Sequence, residues 1–421
     1  MNQYLLWERL KEIPECIKLK RAARKAARAK RRAMKQREVM LYRKNLLAQT
    51  QKQWKMVPRK EVGQLINLIK QNPEKFIFVY GPRMSGKSFI LEQLFTKIKK
   101  EKRVVKVIRT IIGKCEKKAP AFHPKYINFR SFLVDSINDL QFALLNSKDP
   151  FDKEAVERIK SAGNIFYGFE EEVKRIYQKQ GTKVLLIVEE IQMLEGVITP
   201  SKQKKLIDLF LNFLIRIGTE TEYARVVITS SYDFFINHFY NDPIFRERGE
   251  FFKVDHLSYK DMRNLILFYY PNTEEIVIKK IWDVIGGAFP DLWKLIMRGW
   301  KVKIEEKGIK GWLAKQLQKK EGLTLNAVEE YLEKEIQRVF AEIKKVVLRD
   351  LNEEELQLLL TIAEEITKKG VYYINLDKKQ QLEVVNKMVK QNILFFDPLT
   401  MEVKGSRRIY EKGLERLYKH I

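Results

Sequence analysis

The chain has 421 residues, 45% of them hydrophobic, and carries 81 Lys and Arg against 54 Asp and Glu, a net charge of +27 at pH 7. That length exceeds one ordinary core, so two or three domains are expected, and two cysteines exclude a disulfide framework or a cysteine-rich metal cluster. No apolar run approaches the ~20 residues of a membrane span and no signal-peptide pattern opens the chain, so the expectation is a soluble, cytoplasmic protein without a membrane partner.

The charge is uneven. Residues 1–60 hold 19 Lys and Arg against 4 Glu, more than half of the net excess. Within 21–37, helical spacing gathers Arg21, Arg24, Lys25, Arg28, Arg32 and Lys35 into an arc of about 100° beside a face of Ala22, Ala26, Ala29 and Ala33. Alanine and arginine are strong helix formers, so 1–56 is expected to be a basic helical arm. Its concentrated charge fits a polyanion, double-stranded DNA first, although the pattern specifies no base sequence.

Residues 57–75 predict a short helix with Val62, Leu65, Ile66 and Ile69 inward. An apolar strand follows at 76–79, then Gly81, Pro82, Arg83, Met84, Ser85, Gly86, Lys87 and Ser88, which spell G-x-x-x-x-G-K-S. Phe89, Ile90, Leu91, Leu94 and Phe95 then fall at helical spacing. Strand, glycine loop and helix in that order form a phosphate-binding loop. The two glycines let amides fold around a phosphate at the positive end of the helix. Lys87 is placed for the β- and γ-phosphates of ATP, and Ser88 offers a hydroxyl to Mg²⁺.

A second strand is expected at 104–108 and a third at 126–129, followed by an amphipathic helix to about 146. The continuous apolar run at 184–188 predicts a buried parallel strand ending in Glu189 and Glu190. Acids there lie at the sheet edge that also carries the phosphate loop. Glu189 is the candidate metal-holding acid, and Glu190 the candidate base for an attacking water. Another strand, 226–228, ends in Thr229, Ser230 and Ser231, any of which suits a γ-phosphate contact. Arg246 and Arg248 are expected in a loop before a further strand, as candidate arginine fingers or as surface charge.

From 256 to 322 the pattern is helical. Gly286 and Gly287 end one helix, Pro290 opens the next, and Arg298 is a weaker nucleotide contact. The last hundred residues read as three helices and two short strands about an Asp-Pro turn, the order of a winged helix. Lys378, Lys379, Lys387, Lys390, Lys404, Arg407 and Arg408 are its candidate phosphate contacts.

These pieces in order resemble the archaeal ATPase family of P-loop proteins, near the AAA+ and STAND groups, over roughly 57–300. The residues carrying the resemblance are VPRKEVGQL, GPRMSGKS, LLIVEEIQ, ITSS, PIFRERGEFFKVDHLS and IGGAFP. The resemblance implies an α/β P-loop core with a parallel sheet (57–255), a helical lid (256–322) and a C-terminal winged helix (323–421). It also implies nucleotide contact from Arg59 in the lead-in, and an arginine finger from Arg246 or Arg248, supplied within a homo-oligomer. Glu189 departs from the usual Asp, which bears on metal geometry and turnover. The expected function is Mg²⁺-dependent ATP hydrolysis coupled to DNA binding and domain rearrangement. The rival is a slow regulatory NTP switch acting on a protein partner without DNA.

Overall fold

The computed structural model describes residues 59–71, 75–112, 122–132, 134–146, 148–149, 151–197, 205–230, 235, 239–240, 242–297, 322–374 and 379–420, with side chains left aside over 102–112. The basic arm, Ser231, Arg298 and Lys378 lie outside them. Residues 59–421 form one compact unit.

Helix α1 (Lys60–Gln71) leads into strand β1 (Phe76–Tyr80), and α2 (Lys87–Ile112) follows the glycine loop. Then come β2 (Phe122–Asn128), α3 (Ile137–Leu145), α4 (Lys153–Ser161), α5 (Ile165–Gln180), β3 (Lys183–Glu189), α6 (Leu206–Ile215), β4 (Ala224–Thr229), α7 (Pro243–Arg248) and β5 (Gly249–Lys253). The five strands pair in parallel in the order β2-β3-β4-β1-β5. A parallel sheet must be covered on both faces, which is why its strands read as unbroken apolar runs rather than alternating ones. Strand alternation sorts β1 between two cores. Phe76, Phe78 and Tyr80 join Phe129, Phe169, Phe210 and Phe213 on one face, while Ile77 and Val79 join Leu65, Ile69, Ile90 and Leu94 of α1 and α2 on the other.

Two expectations need correction. Residues 104–108 are not a strand: α2 runs through them to Ile112. Their β-branched side chains suggest a strand, but the same valines and isoleucines also recur at three- and four-residue spacing. β-propensity is decided by context, and the helix costs only a few tenths of a kcal/mol per β-branched residue. The second strand is therefore β2. Arg246 and Arg248 also sit in a helix, not a loop. Asp242 caps α7, its side chain accepting from the Ile244 N–H at 2.9 Å, and Pro243 fills the first helical position.

Helices α8 (Tyr259–Tyr269) and α9 (Glu275–Ile285) continue the chain. Gly286 follows α9, and a helix α10 is described over 289–297. Gly287 has no room for a side chain, since a Cβ there would lie 1.9 Å from the Leu257 carbonyl oxygen. The rest comprises α11 (Leu325–Asp350), α12 (Glu353–Lys369), β6 (Tyr372–Tyr373), α13 (Lys379–Lys390), β7 (Leu394–Asp397), β8 (Glu402–Gly405) and α14 (Arg408–His420). The three short strands form an antiparallel sheet in the order β6-β8-β7.

The β7–β8 hairpin packs inward. Phe395 belongs to the same apolar core as Phe76 and Phe78. Asp397, 1% exposed, lies 2.7 Å from Lys253 Nζ and accepts from the Tyr80 hydroxyl at 3.3 Å. The Tyr240 hydroxyl donates to the Pro398 carbonyl at 2.9 Å, and Arg407 forms a buried pair with Asp291 of α10 at 2.5 Å.

Candidate functional site

The site grows from the carboxyl ends of β1 and β3. Gly81 leaves β1 with φ of 144°, and a Cβ there would meet the Val254 carbonyl oxygen at 2.1 Å, so only glycine lets the loop begin this close to β5. Gly86 (φ 96°) and Met84 (φ 66°) complete the reversal. The Ser85 N–H donates to the Pro82 carbonyl at 3.3 Å, and the first helical bond runs from Ile90 N–H to Gly86 at 3.0 Å. The amides before Ile90 therefore have no acceptor within α2 and present the positive end of a long helix. Ser85 is buried with an unpartnered hydroxyl, and Ser88 is exposed.

Lys87 folds over this loop, its ammonium donating to the Gly81 and Pro82 carbonyls at 3.0 Å each. Burial lowers its pKa to about 8, against the opposing pull of Glu190 and Glu189. Both acids are therefore electrostatic neighbours of the loop lysine. Arg59 approaches from the lead-in: a Cβ on Gly86 would lie 3.9 Å from its guanidinium. It is buried, paired with Glu61 at 2.9 Å, and donates to the Asp255 carbonyl at 2.9 Å. Phe89 lies half-buried on the first turn of α2, and Arg83 is exposed.

Glu189 is buried at the end of β3 and Glu190 follows it with φ of 60°, an uncommon left-handed backbone for a glutamate. Its N–H donates to the Thr229 carbonyl at 3.0 Å, which fixes the turn to β4. Both of its side-chain oxygens are engaged: Arg130 donates to one at 2.6 Å and Gln192 to the other at 2.5 Å. Of the three residues ending β4, Thr229 is buried with an unpartnered hydroxyl, Ser230 is buried, and Ser231 is not described.

Arg246 and Arg248 are exposed on α7, directly before the N-terminus of β5. All five strands are parallel, so this is the edge of the sheet away from the phosphate loop; five residues of strand put it roughly 16 Å off. The bond from Arg248 to Thr219, before the start of β4, confirms that end. Neither arginine joins Lys87, Glu189 and Glu190 within this chain.

Sequence reasoning passed over Tyr126, Asn128, Arg130 and His256. Tyr126 and Asn128 both donate to Glu189, at 2.5 and 2.7 Å. His256 lies 3.1 Å from the Arg83 carbonyl through Nε2. Burial lowers its pKa to about 4, so it is neutral at pH 7 and suited to donate to that carbonyl. None carries a local motif.

The model of an ATPase domain predominantly from Archaea matches residues 59–295, more than half of the chain. The chain belongs to this archaeal ATPase family. Its relatives include an uncharacterized ATP-binding protein of Methanocaldococcus jannaschii, 23% identical over 382 residues, covering 85% of this chain and 96% of that one. Another, from Pyrococcus abyssi, is 24% identical over 393 residues, covering 85% and 97%. Among solved structures, the ORC2 protein of Aeropyrum pernix in its ADP form aligns over 85% of this chain and 92% of its own, at 12% identity and a TM-score of 0.47. Within the archaeal ATPase, no helix of the described residues is long and apolar enough to cross a membrane.

Proposed function

We propose that this archaeal ATPase binds ATP with Mg²⁺, hydrolyses it, and uses the nucleotide state to rearrange its domains while its basic arm holds double-stranded DNA. One observation carries the reading: the parallel order β3-β4-β1 brings the glycine loop that leaves β1, with Lys87 folded over it, to the same carboxyl edge as the two acids that end β3. Amides and Lys87 hold the phosphates, and Glu190 takes a proton from water. Arg59 borders the loop for a further nucleotide contact.

The residues fit Mg²⁺. A hydroxyl (Ser88) and a carboxylate (Glu189) are the hard oxygen donors that ion prefers. No group of three or more His, Cys, Asp or Glu side chains among the described residues could hold an ion alone, so phosphate oxygens would complete the shell. Mg²⁺ held there would supply charge neutralisation for the bound phosphates. Thr229, with its orphaned hydroxyl at the end of β4, is our candidate γ-phosphate sensor.

Three helices followed by a strand pair support a winged helix over 323–421, but three of its candidate cations are committed. Lys387 pairs with Glu355 at 2.6 Å, Arg407 is buried on Asp291, and Arg408 lies over Trp282. The arm, with more than half of the net charge, is therefore the stronger DNA contact. The engaged carboxylate of Glu190 favours a second reading, a slow switch that turns over only when Arg130 and Gln192 let go.

Binding and turnover separate in one experiment. Lys87→Ala should lose affinity for a fluorescent ATP analogue, whereas Glu190→Gln should keep it and lose hydrolysis by about 10²-fold or more. Normal hydrolysis by Glu190→Gln sinks the assignment of the base. DNA affinity of the full chain should fall with salt at a slope near −0.9 per neutralised phosphate, and deleting 1–45 should flatten it. An unchanged slope after the deletion moves the DNA contact to the winged helix, and no salt-dependent binding by the full chain leaves the slow protein-directed switch.

A further inference from the structure

Glu189 is one methylene longer than the aspartate usual at its position, and the structure shows where the extra length goes. In the parallel β2–β3 ladder Asn128 stands directly beside Glu189, with Tyr126 two residues earlier on the same face of β2. The Asn128 amide donates to Glu189 Oε2 at 2.7 Å, and the Tyr126 hydroxyl donates to that same oxygen at 2.5 Å. Among the described residues no protein donor reaches Oε1.

The tyrosine is itself held. Its ring is 2% exposed, meets Phe95 of α2 edge-on at 5.7 Å between centroids, and carries the Lys148 ammonium 4.7 Å from its centroid. Lys148 in turn pairs with Glu92 of α2 at 3.0 Å. A phenol is protonated at neutral pH, so the hydroxyl is a donor to the carboxylate. The helix that begins at the phosphate loop thus braces the tyrosine that orients the acid.

We infer that Tyr126 and Asn128 are positioning residues for the divalent cation: by fixing Oε2 of Glu189 they leave Oε1 as the one oxygen offered to the metal. The inference rests on the proposed role of Glu189 and explains how a glutamate serves there. A flexible glutamate would spread its carboxylate over several rotamers; two donors on one oxygen select one. Loss of such outer partners of a metal ligand typically costs 10- to 100-fold in metal affinity.

The test uses the full chain, a fluorescent non-hydrolysable ATP analogue and a Mg²⁺ titration. Tyr126→Phe keeps the ring and removes the donor; Asn128→Ala, at a half-buried position, covers the case in which Tyr126→Phe fails to fold. Each should raise the Mg²⁺ concentration for half-maximal tight binding by about 10-fold or more, with Mg²⁺-free affinity unchanged. In a Glu189→Gln background, Tyr126→Phe should add nothing, because the two changes act through one carboxylate. If Glu189→Gln shifts the Mg²⁺ curve but neither donor variant does, the two donors are a structural strut and the inference is overturned. If Glu189→Gln itself leaves the curve in place, the metal role of Glu189 falls and the inference falls with it.

Discussion

Lys87 sits in an environment that costs the folded protein stability. Its ammonium is enclosed by the loop it serves, and burial brings its pKa down from 10.5 to about 8. Between those two values the unfolded chain binds more protons than the folded one, so the nucleotide-free fold gains stability as pH rises through that window. Below pH 8 the full cost of the enclosed charge is present, up to about 3 kcal/mol from a shift of this size. Lys87→Met should therefore stabilise the nucleotide-free protein at pH 7 while weakening ATP binding. Denaturant unfolding of both proteins at pH 7 and pH 10 checks this, since the gain should shrink at the higher pH. A gain of the same size at both values would trace it to packing rather than charge. The loop trades stability for a lysine already in place for phosphate.

At the scale of elements, legibility divides by sequence distance. The phosphate loop was readable because Gly81 to Ser88 fix its chemistry within eight residues, and β3 was readable because five apolar residues precede two acids. The donors from β2 and from the turn that follows it were not. Tyr126 and Arg130 meet Glu189 and Glu190 across about 60 positions of sequence, and no local pattern announces which strand becomes the neighbour of β3. Residues 104–108 misled for the converse reason, since one short apolar run satisfies a strand or a helix until the surrounding chain decides. Helix α7 shows a third case: Asp242 and Pro243 spell its start, yet it reads as loop when only its arginines are weighed.

The position of α7 sharpens what Arg246 and Arg248 can do. They sit at the far edge of the sheet from their own phosphate loop, so a contribution to hydrolysis requires a second copy of the chain. Specific activity should then rise with protein concentration. Arg246→Ala and Lys87→Ala, each inactive alone, should regain activity on mixing, because some sites would pair an intact loop with an intact arginine. The same mixture with Arg248→Ala tells the two apart. Flat activity per chain and no recovery in either mixture would leave α7 as surface charge.

The whole unit from Arg59 to Ile421 is joined through the inward hairpin. Asp397 lies 317 residues from Tyr80 in sequence and bonds to it just ahead of Gly81, while Lys253 meets the same carboxylate from the end of β5. Lys253 retains water and Asp255 as alternatives, so Asp397→Ala should cost about 2–3 kcal/mol, less than a fully enclosed pair. Urea unfolding of the variant measures this; a loss under 0.5 kcal/mol would mean that Phe395 and the Tyr240–Pro398 bond seat the hairpin without Asp397.

That seat changes what counts as a module here. The family match stops at residue 295, yet the side chain of Phe395 joins the core on one face of the parallel sheet. During synthesis the first 300 residues leave the ribosome with Tyr80 and Lys253 still lacking Asp397 and with their core lacking Phe395, and a chain cut after α10 would keep that gap open to water. Such a fragment carries every residue of the nucleotide motif and still lacks part of the platform on which the motif stands. A truncation meant to isolate the matched ATPase domain should expose a sticky face, and the smallest well-behaved fragment should extend at least through β8.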